Sequence, residues 1–213
     1  MMDDPLDAVA VRVLASLMEK AITTPDTYPL TLNALVAACN QTSNRDPVLA
    51  LDDATVAASL KELSRRSLVR EVHRSDSRAK RYRQTMSESM NLHPAETAVM
   101  CVLMLRGAQT IGEIRARTSR LFEFADLKHV VVTLEALMTL PAPLVIKLPR
   151  QPGQKEERYA HLLSGEPQVE SEPAGDEPPR SDRLEALEQV MDSMRAELAD
   201  LRARFEAFER EFR

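Results

Sequence analysis

Tryptophan is absent from this chain of 213 residues, which also has only five glycines, two cysteines, three tyrosines and five phenylalanines. Such a composition limits the core to Leu, Val, Ala and Met side chains, which favours helices over sheets. Cys39 and Cys101 fall on apolar faces of predicted helices and are far apart in sequence. We therefore predict two buried thiols, and neither a disulfide nor a metal site.

The chain also lacks a long apolar run. The longest one, residues 98–105, is too short to cross a bilayer. The first four residues, Met-Met-Asp-Asp, carry acids where a signal peptide would carry basic residues. We therefore expect a cytoplasmic protein that makes no membrane contact.

Catalytic motifs are missing as well. No phosphate loop, dinucleotide fingerprint or Ser-His-Asp set can be read from the sequence. The four histidines, His73, His93, His129 and His161, have no metal-ligand spacing, and surface or capping roles are expected for them. We predict a protein without catalytic activity, cofactor or metal; an enzyme would need a cluster that only the fold brings together.

One order of predicted elements occurs twice between residues 6 and 163. In each copy a helix is followed by a short second helix, an amphipathic third helix and a β-hairpin that contains an Arg-Tyr pair. Helix, turn, helix and hairpin is the winged variant of the helix-turn-helix. We predict a mainly α protein with small β-hairpin wings, an α+β fold of two tandem winged-helix domains at residues 1–86 and 87–163. Equivalent residues are Val56 and Val130, Leu60 and Leu134, Leu63 and Leu137, Arg81 and Arg158, and Tyr82 and Tyr159.

Helix-capping residues refine the element boundaries. Asp52 and Asp126 are predicted N-caps of the third helices, and Thr110 with Glu113 forms a capping box. Residues 87–93 are expected to be a connection. The predicted helices of the first copy are 6–21, 30–40 and 52–66, and the predicted strands are 68–74 and 80–85, followed by 144–148 and 158–163 in the second copy.

The C-terminal part has a different composition. Residues 164–182 are rich in Pro, Glu, Ser and Gly, which predicts a flexible linker. Residues 183–213 carry apolar side chains at alternating spacings of three and four, the pattern of a coiled coil. Opposite charges would face each other in a parallel pair, so we predict a homodimer through a parallel coiled coil. The predicted dimerisation residues are Leu184, Leu187, Met191, Met194, Leu198, Leu201, Phe205, Phe208 and Phe212.

Charge is distributed unevenly. Residues 164–213 hold 14 acidic and 7 basic side chains, a formal charge of −7, whereas the rest holds 19 acidic and 21 basic side chains, or +2. Nine basic and three acidic side chains fall in residues 61–83, at the end of the third helix and on the first wing. Because local charge density determines phosphate binding, this segment is our candidate nucleic-acid interface. Its cations are Lys61, Arg65, Arg66, Arg70, Arg74, Arg78, Lys80, Arg81 and Arg83.

Other features weaken a DNA hypothesis. The third helix of the first copy begins with Asp52 and Asp53, at the end that normally meets base edges. In the second copy, Lys128 and His129 precede an apolar run, residues 130–132, which favours burial against the first copy or a dimerising role. The wing could equally be a solvated hairpin whose long side chains protect a strand edge.

Two segments carry a family resemblance. Residues 24–48, TPDTYPLTLNALVAACNQTSNRDPV, and residues 92–115, LHPAETAVMCVLMLRGAQTIGEIR, resemble the YceH-like family of uncharacterised bacterial proteins. The resemblance covers about residues 6–163 and implies two winged-helix domains in tandem. It implies no activity and no functional residues. The polar residues of the first segment fit either a tightly capped loop around a small helix or a specific binding surface.

Two functions follow as hypotheses. The first is a regulator-like protein that binds duplex DNA through the basic wing of the first domain. The alternative is a protein-interaction scaffold with a protein partner and no direct DNA binding, as tandem winged helices serve in chromosome-organising proteins such as ScpB. The basic wing favours the first hypothesis, and the net acidity favours the second.

Overall fold

The computed structural model describes residues 4–74, 77–150 and 156–167, and only the backbone of residues 74, 77 and 78. These residues form a mixed α+β fold with two small antiparallel sheets, which confirms the predicted fold class. The predicted coiled coil, most of the predicted linker and the tips of both hairpins lie outside the described residues.

A 3-10 turn, Pro25–Thr27, follows the first helix. The helices and strands are α1 (Ala8–Thr23), β1 (Leu30–Thr31), α2 (Leu32–Cys39), α3 (Asp53–Arg65), β2 (Val69–Arg74), β3 (Ser77–Gln84), α4 (Met86–Ser89), α5 (Pro94–Arg106), α6 (Ile111–Thr118), α7 (Leu127–Met138), β4 (Val145–Leu148) and β5 (Arg158–His161).

The predicted repetition of elements is present in the described residues. The series α1, α2, α3 and hairpin β2–β3 is followed by the series α5, α6, α7 and hairpin β4–β5. Equivalent backbone hydrogen bonds close the two copies: the amide of Thr85 donates to Leu68 O, and the amide of Leu162 donates to Leu144 O, each at 2.8 Å. The two copies therefore share both the order of elements and the hydrogen bond that joins the two ends of each hairpin.

The sheets differ in one strand. The first sheet has the order β1-β3-β2, and the short strand β1 was not predicted from the sequence. Leu30 of β1 pairs with Tyr82 of β3, and in the second copy an isolated bridge joins Gln109 to Tyr159. In the second copy, this single bridge therefore takes the place of the pairing between β1 and β3.

Helix starts follow the predicted caps. The side chains of Asp52 and Asp126 accept hydrogen bonds from the amides of Thr55 and His129, both at 2.8 Å. Thr110 and Glu113 form the predicted capping box of α6. These contacts satisfy amide groups that have no partner within the helix, so the local sequence fixes where α3, α6 and α7 begin.

The core runs through both copies. Buried side chains of α1, including Leu14 and Leu17, and of α5, including Met100 and Leu103, belong to one continuous apolar cluster. Helices α1 and α5 pack against each other. The two copies therefore share a core through their first helices, and the boundary between two domains at residue 86 stays a prediction.

Both cysteines are buried and free, as predicted. The Cys101 thiol lies 3.6 Å from Ala15 O, at the contact between α5 and α1. Burial raises the pKa of both thiols, so neither side chain favours the reactive thiolate.

Two local expectations were wrong. Strand β3 begins at Ser77 instead of residue 80, while the segment predicted as a connection contains the short helix α4. Val132 is exposed, although the apolar run 130–132 had suggested burial against the first copy. Only Val130 of that run is fully buried, because it alone lies on the core face of α7.

None of the described helices combines the length and apolar character that a membrane span requires.

Candidate nucleic-acid interface

The last turns of α3 contribute three of the candidate cations. Lys61 is exposed, and Arg65 forms an exposed ion pair with Glu62. Arg66 is half-buried, with its Nε 2.6 Å from Glu62 Oε1 and its Nη2 3.2 Å from Asp4 Oδ2. The end of α3 therefore presents Lys61 and Arg65 to solvent, whereas Arg66 holds the N-terminal segment against the helix.

Strand pairing places arginines opposite each other on the first hairpin, β2–β3. Arg70 of β2 and Arg83 of β3 are direct cross-strand partners, so their side chains lie on the same face. Arg83 forms an ion pair with Glu88, whereas Arg70 is exposed and has no ion-pair partner among the described residues. On the other face, Lys80 Nζ lies 3.3 Å from Glu71 Oε1.

Arg81 has a structural contact. Its Nη1 donates to Pro29 O at 2.8 Å, which ties β3 to the loop before α2. Arg158 makes the equivalent contact in the second copy, donating from Nη1 to Ala108 O at 2.8 Å. Both copies use this arginine to hold the same loop, so Arg81 has a structural role, and its contact with nucleic acid stays a prediction.

The structure thus divides the candidate cations into groups. One group has exposed side chains and consists of Lys61, Arg65, Arg70 and Lys80. The other group makes contacts within the protein: Arg66 with Glu62, Arg81 with Pro29 and Arg83 with Glu88. Arg74 and Arg78 are placed by their backbone in β2 and β3, and their side chains lie outside the described residues. Sequence reasoning identified the charges but not the partners Asp4 and Pro29, because these two residues lie far away in sequence.

The acidic start of α3 remains exposed. Asp52 accepts hydrogen bonds from the side chain and backbone of Thr55, which lower the pKa of its carboxyl group. Asp53 is also exposed in the first turn. Carboxylates at this end repel phosphates, so the positive surface is concentrated at the opposite end of α3 and on the hairpin β2–β3.

Acidic side chains pair with cations of the second hairpin, β4–β5, and of α6. Lys147 Nζ lies 2.6 Å from Glu157 Oε2, and Arg158 Nη2 lies 3.6 Å from Glu113 Oε2. Arg117 also pairs with Glu113, at 3.2 Å. Arg150 is exposed. The second copy therefore offers less free positive charge than the first.

Sequence reasoning missed a buried ion pair. Arg45 Nη2 lies 2.6 Å from Glu19 Oε2, and both side chains are buried. Arg45 also donates to Ala38 O at 2.9 Å. On either side of Arg45, the Asp46 amide donates to Leu105 O at 2.9 Å, and Arg106 Nη1 donates to Asn44 Oδ1 at 3.2 Å. The polar segment that carried the family resemblance therefore connects α2 to α1 and α5; its only sequence signal was its unusual polarity.

The histidines have different environments. His73 is exposed beside Glu71, and the His93 amide donates to Glu96 at the start of α5. His161 is half-buried, its Nδ1 has no hydrogen-bond partner, and burial lowers its pKa to about 4. Among the described residues, no group of three or more His, Cys, Asp or Glu side chains could hold a metal ion.

Comparison with known proteins places the chain in a family. A family profile described as "Protein of unknown function, DUF480" matches residues 6–154. A UPF0502 protein of Solibacter usitatus is 49% identical, over 99% of this chain and 100% of the relative. A UPF0502 protein of Geobacter metallireducens is 48% identical, over 86% of this chain and 83% of the relative. One from a Janthinobacterium species is 44% identical, over 97% and 90%. The match agrees with the YceH-like resemblance, and the chain belongs to the DUF480, or UPF0502, family of bacterial proteins.

Proposed function

We propose that this protein is a non-catalytic, regulator-like protein that binds duplex DNA through the end of α3 and the first wing. The proposal includes two tandem winged helices, which the repeated order of three helices and a hairpin supports. It also includes a homodimer formed through residues 183–213. Contacts to the phosphate backbone would supply the affinity, since the exposed cations are flexible Lys and Arg side chains.

The observation that carries the proposal is the cross-strand pair Arg70–Arg83. Like charges directly opposite each other on a sheet destabilise the hairpin. Glu88 compensates Arg83, but no described carboxylate compensates Arg70. A phosphate oxygen placed over this face would relieve the repulsion, so the wing is suited to a polyanion.

The remaining ion pairs do not block such a contact. Arg65–Glu62 and Lys80–Glu71 are exposed at the surface. Pairs of this kind contribute little to stability and are screened by salt. A phosphate can therefore replace the carboxylate partner at little cost. The Arg81 contact to Pro29 is different, because breaking it would leave a half-buried carbonyl oxygen without its donor.

The test is the salt dependence of duplex DNA binding, measured by fluorescence anisotropy with the full chain. Each phosphate contact that is lost should lower the slope of log affinity against log salt by about 0.9. We expect Arg70→Gln to lower the slope by about one contact, and Lys61→Gln with Arg70→Gln by about two. The matched control is Arg150→Gln, which removes an exposed charge from the second wing and should change the slope little. Absence of duplex binding by the intact protein at low salt would overturn the proposal.

A protein-interaction scaffold is the second candidate. It is favoured by the exposed acids at the start of α3 and by the internal ion pairs of the second wing. Both features oppose nucleic acid and are neutral toward a protein partner. A pull-down from bacterial lysate, with and without nuclease, separates the two functions. Partners retained after nuclease treatment, together with no affinity for duplex DNA, would favour the scaffold.

A further inference from the structure

Helix α7 has an apolar surface patch between two opposite charges. Lys128, Val131, Val132 and Glu135 lie within about 100° of one another on the helix surface, given its periodicity of 3.6 residues. Val132 is 61% exposed, more than any other large apolar side chain among the described residues. Lys128 and Glu135 are exposed, and neither has an ion-pair partner in the described part of the chain. We call these four residues the α7 face.

The equivalent face of the first copy has a different chemistry. The third helices align with Val56 on Val130 and Leu60 on Leu134, all of which are buried. By this alignment the first copy has three alanines and a lysine in place of the α7 face, namely Ala54, Ala57, Ala58 and Lys61. The same fold position can therefore be filled without an exposed valine, so Val132 is not required for the packing of one copy, whereas Val131 is half-buried.

The pattern of the α7 face is complementary to itself. Its lysine lies three residues before Val131, and its glutamate lies three residues after Val132. In an antiparallel contact centred between the two valines, Lys128 of each copy therefore lies opposite Glu135 of the other. A twofold axis requires such a self-complementary patch. We propose that α7 packs antiparallel against α7 of a second copy of this chain.

Other arrangements fit the charges less well. In a parallel pair of α7 helices, Lys128 would face Lys128 and Glu135 would face Glu135. A polyanion would be opposed by Glu135 and would leave the valines in water. The antiparallel pair buries the valines at the axis, where helices approach to about 8–10 Å, and its peripheral ion pairs set the orientation.

Thiol cross-linking of the full chain tests the proposed contact between two α7 helices, whether or not residues 183–213 also form a dimer. Val132→Cys should give a covalent dimer with a short bis-maleimide linker. Val48→Cys is the matched control, because Val48 is 54% exposed and lies outside the α7 face. The native cysteines are buried, so the unmodified chain should give no such product. Equal dimer yields from the two cysteine variants would overturn the proposal.

Charge reversal tests the antiparallel register. Adding Lys128→Glu to the Val132→Cys variant should reduce the cross-linked yield several-fold, and adding Glu135→Lys as well should restore it. A mixture of chains carrying only Lys128→Glu with chains carrying only Glu135→Lys should form mixed dimers in preference to either self-pair, because both ion pairs are then attractive. If the double reversal does not restore the yield, or if the mixture shows no preference, the antiparallel contact is wrong.

Discussion

At the scale of single residues, equivalent arginines perform the same task in both copies. Arg81 and Arg158 each bind a carbonyl oxygen of the loop that precedes the second helix, at 2.8 Å. Arg81 counted as a candidate DNA contact on charge alone. Its position beside the loop gives it a structural role that its charge does not reveal.

The Arg81 assignment leads to a prediction about stability. Arg81→Gln should lower the free energy of unfolding by about 1–3 kcal/mol, since the Pro29 carbonyl loses its donor. Lys80→Gln is the control, because its partner Glu71 is at the surface and the change should cost under about 1 kcal/mol. Urea denaturation measures both. A loss of DNA binding by Arg81→Gln with an unchanged free energy of unfolding would contradict the structural role and favour a contact between Arg81 and DNA.

His161 predicts a dependence of stability on pH. Burial lowers its pKa to about 4, below the ordinary value of 6.5, so the folded protein keeps this side chain neutral. The unfolded chain takes up the proton first as pH falls. The contribution of the neutral His161 to the free energy of unfolding is therefore complete above pH ~6.5 and is lost toward pH ~4. About 2 kcal/mol of that free energy is lost between roughly pH 7 and 5. His161→Gln, which places the residue found at the equivalent position Gln84, should flatten this part of the profile. Parallel profiles for the two proteins would contradict the prediction.

At the scale of elements, the third helices are held by matching core residues. Leu60 of α3 and Leu134 of α7 are both buried at equivalent positions. Replacing either by alanine should destabilise the protein by roughly 2–4 kcal/mol, from lost burial and the cavity left behind. Thermal or urea unfolding measures the effect, and Ala54→Ser, at an exposed position of α3, is a neutral control. Near-neutral values at both leucines would show that the equivalence of α3 and α7 is mistaken.

The elements also show what sequence can and cannot predict. The starts of α3, α6 and α7 were predictable because their caps depend on residues three positions apart. Strand β1 was not, because two residues become a strand only when β3 lies beside them. The charges of the candidate interface were visible in the sequence. Their long-range partners were not, since the Arg66–Asp4 ion pair joins residues 62 positions apart.

At the scale of the whole molecule, polar contacts link the two copies as well as apolar ones. Arg45 lies buried against Glu19 of α1, while its neighbours bind Leu105 and Arg106 at the end of α5. A buried charge pair adds little net stability compared with apolar residues, but losing one partner costs several kcal/mol. The pair therefore favours one arrangement of residues 40–47, and with it one arrangement of α1 and α5.

The heptad pattern of residues 183–213 gives a prediction about assembly. Removing this segment should lower the oligomer mass measured by light scattering, because the sequence pattern predicts a helix with nine large apolar side chains on one face, and such a face would require a partner. Helical circular dichroism from α1 to α7 should persist. If the α7 face also pairs, the truncated chain should retain a weaker, concentration-dependent dimer that Lys128→Glu dissociates and that adding Glu135→Lys restores. An oligomer that is unchanged by truncation and insensitive to both charge changes would show that neither surface is the main contact. Because the two contacts are formed by separate segments, their effects on the dimerisation free energy should add unless one contact positions the other.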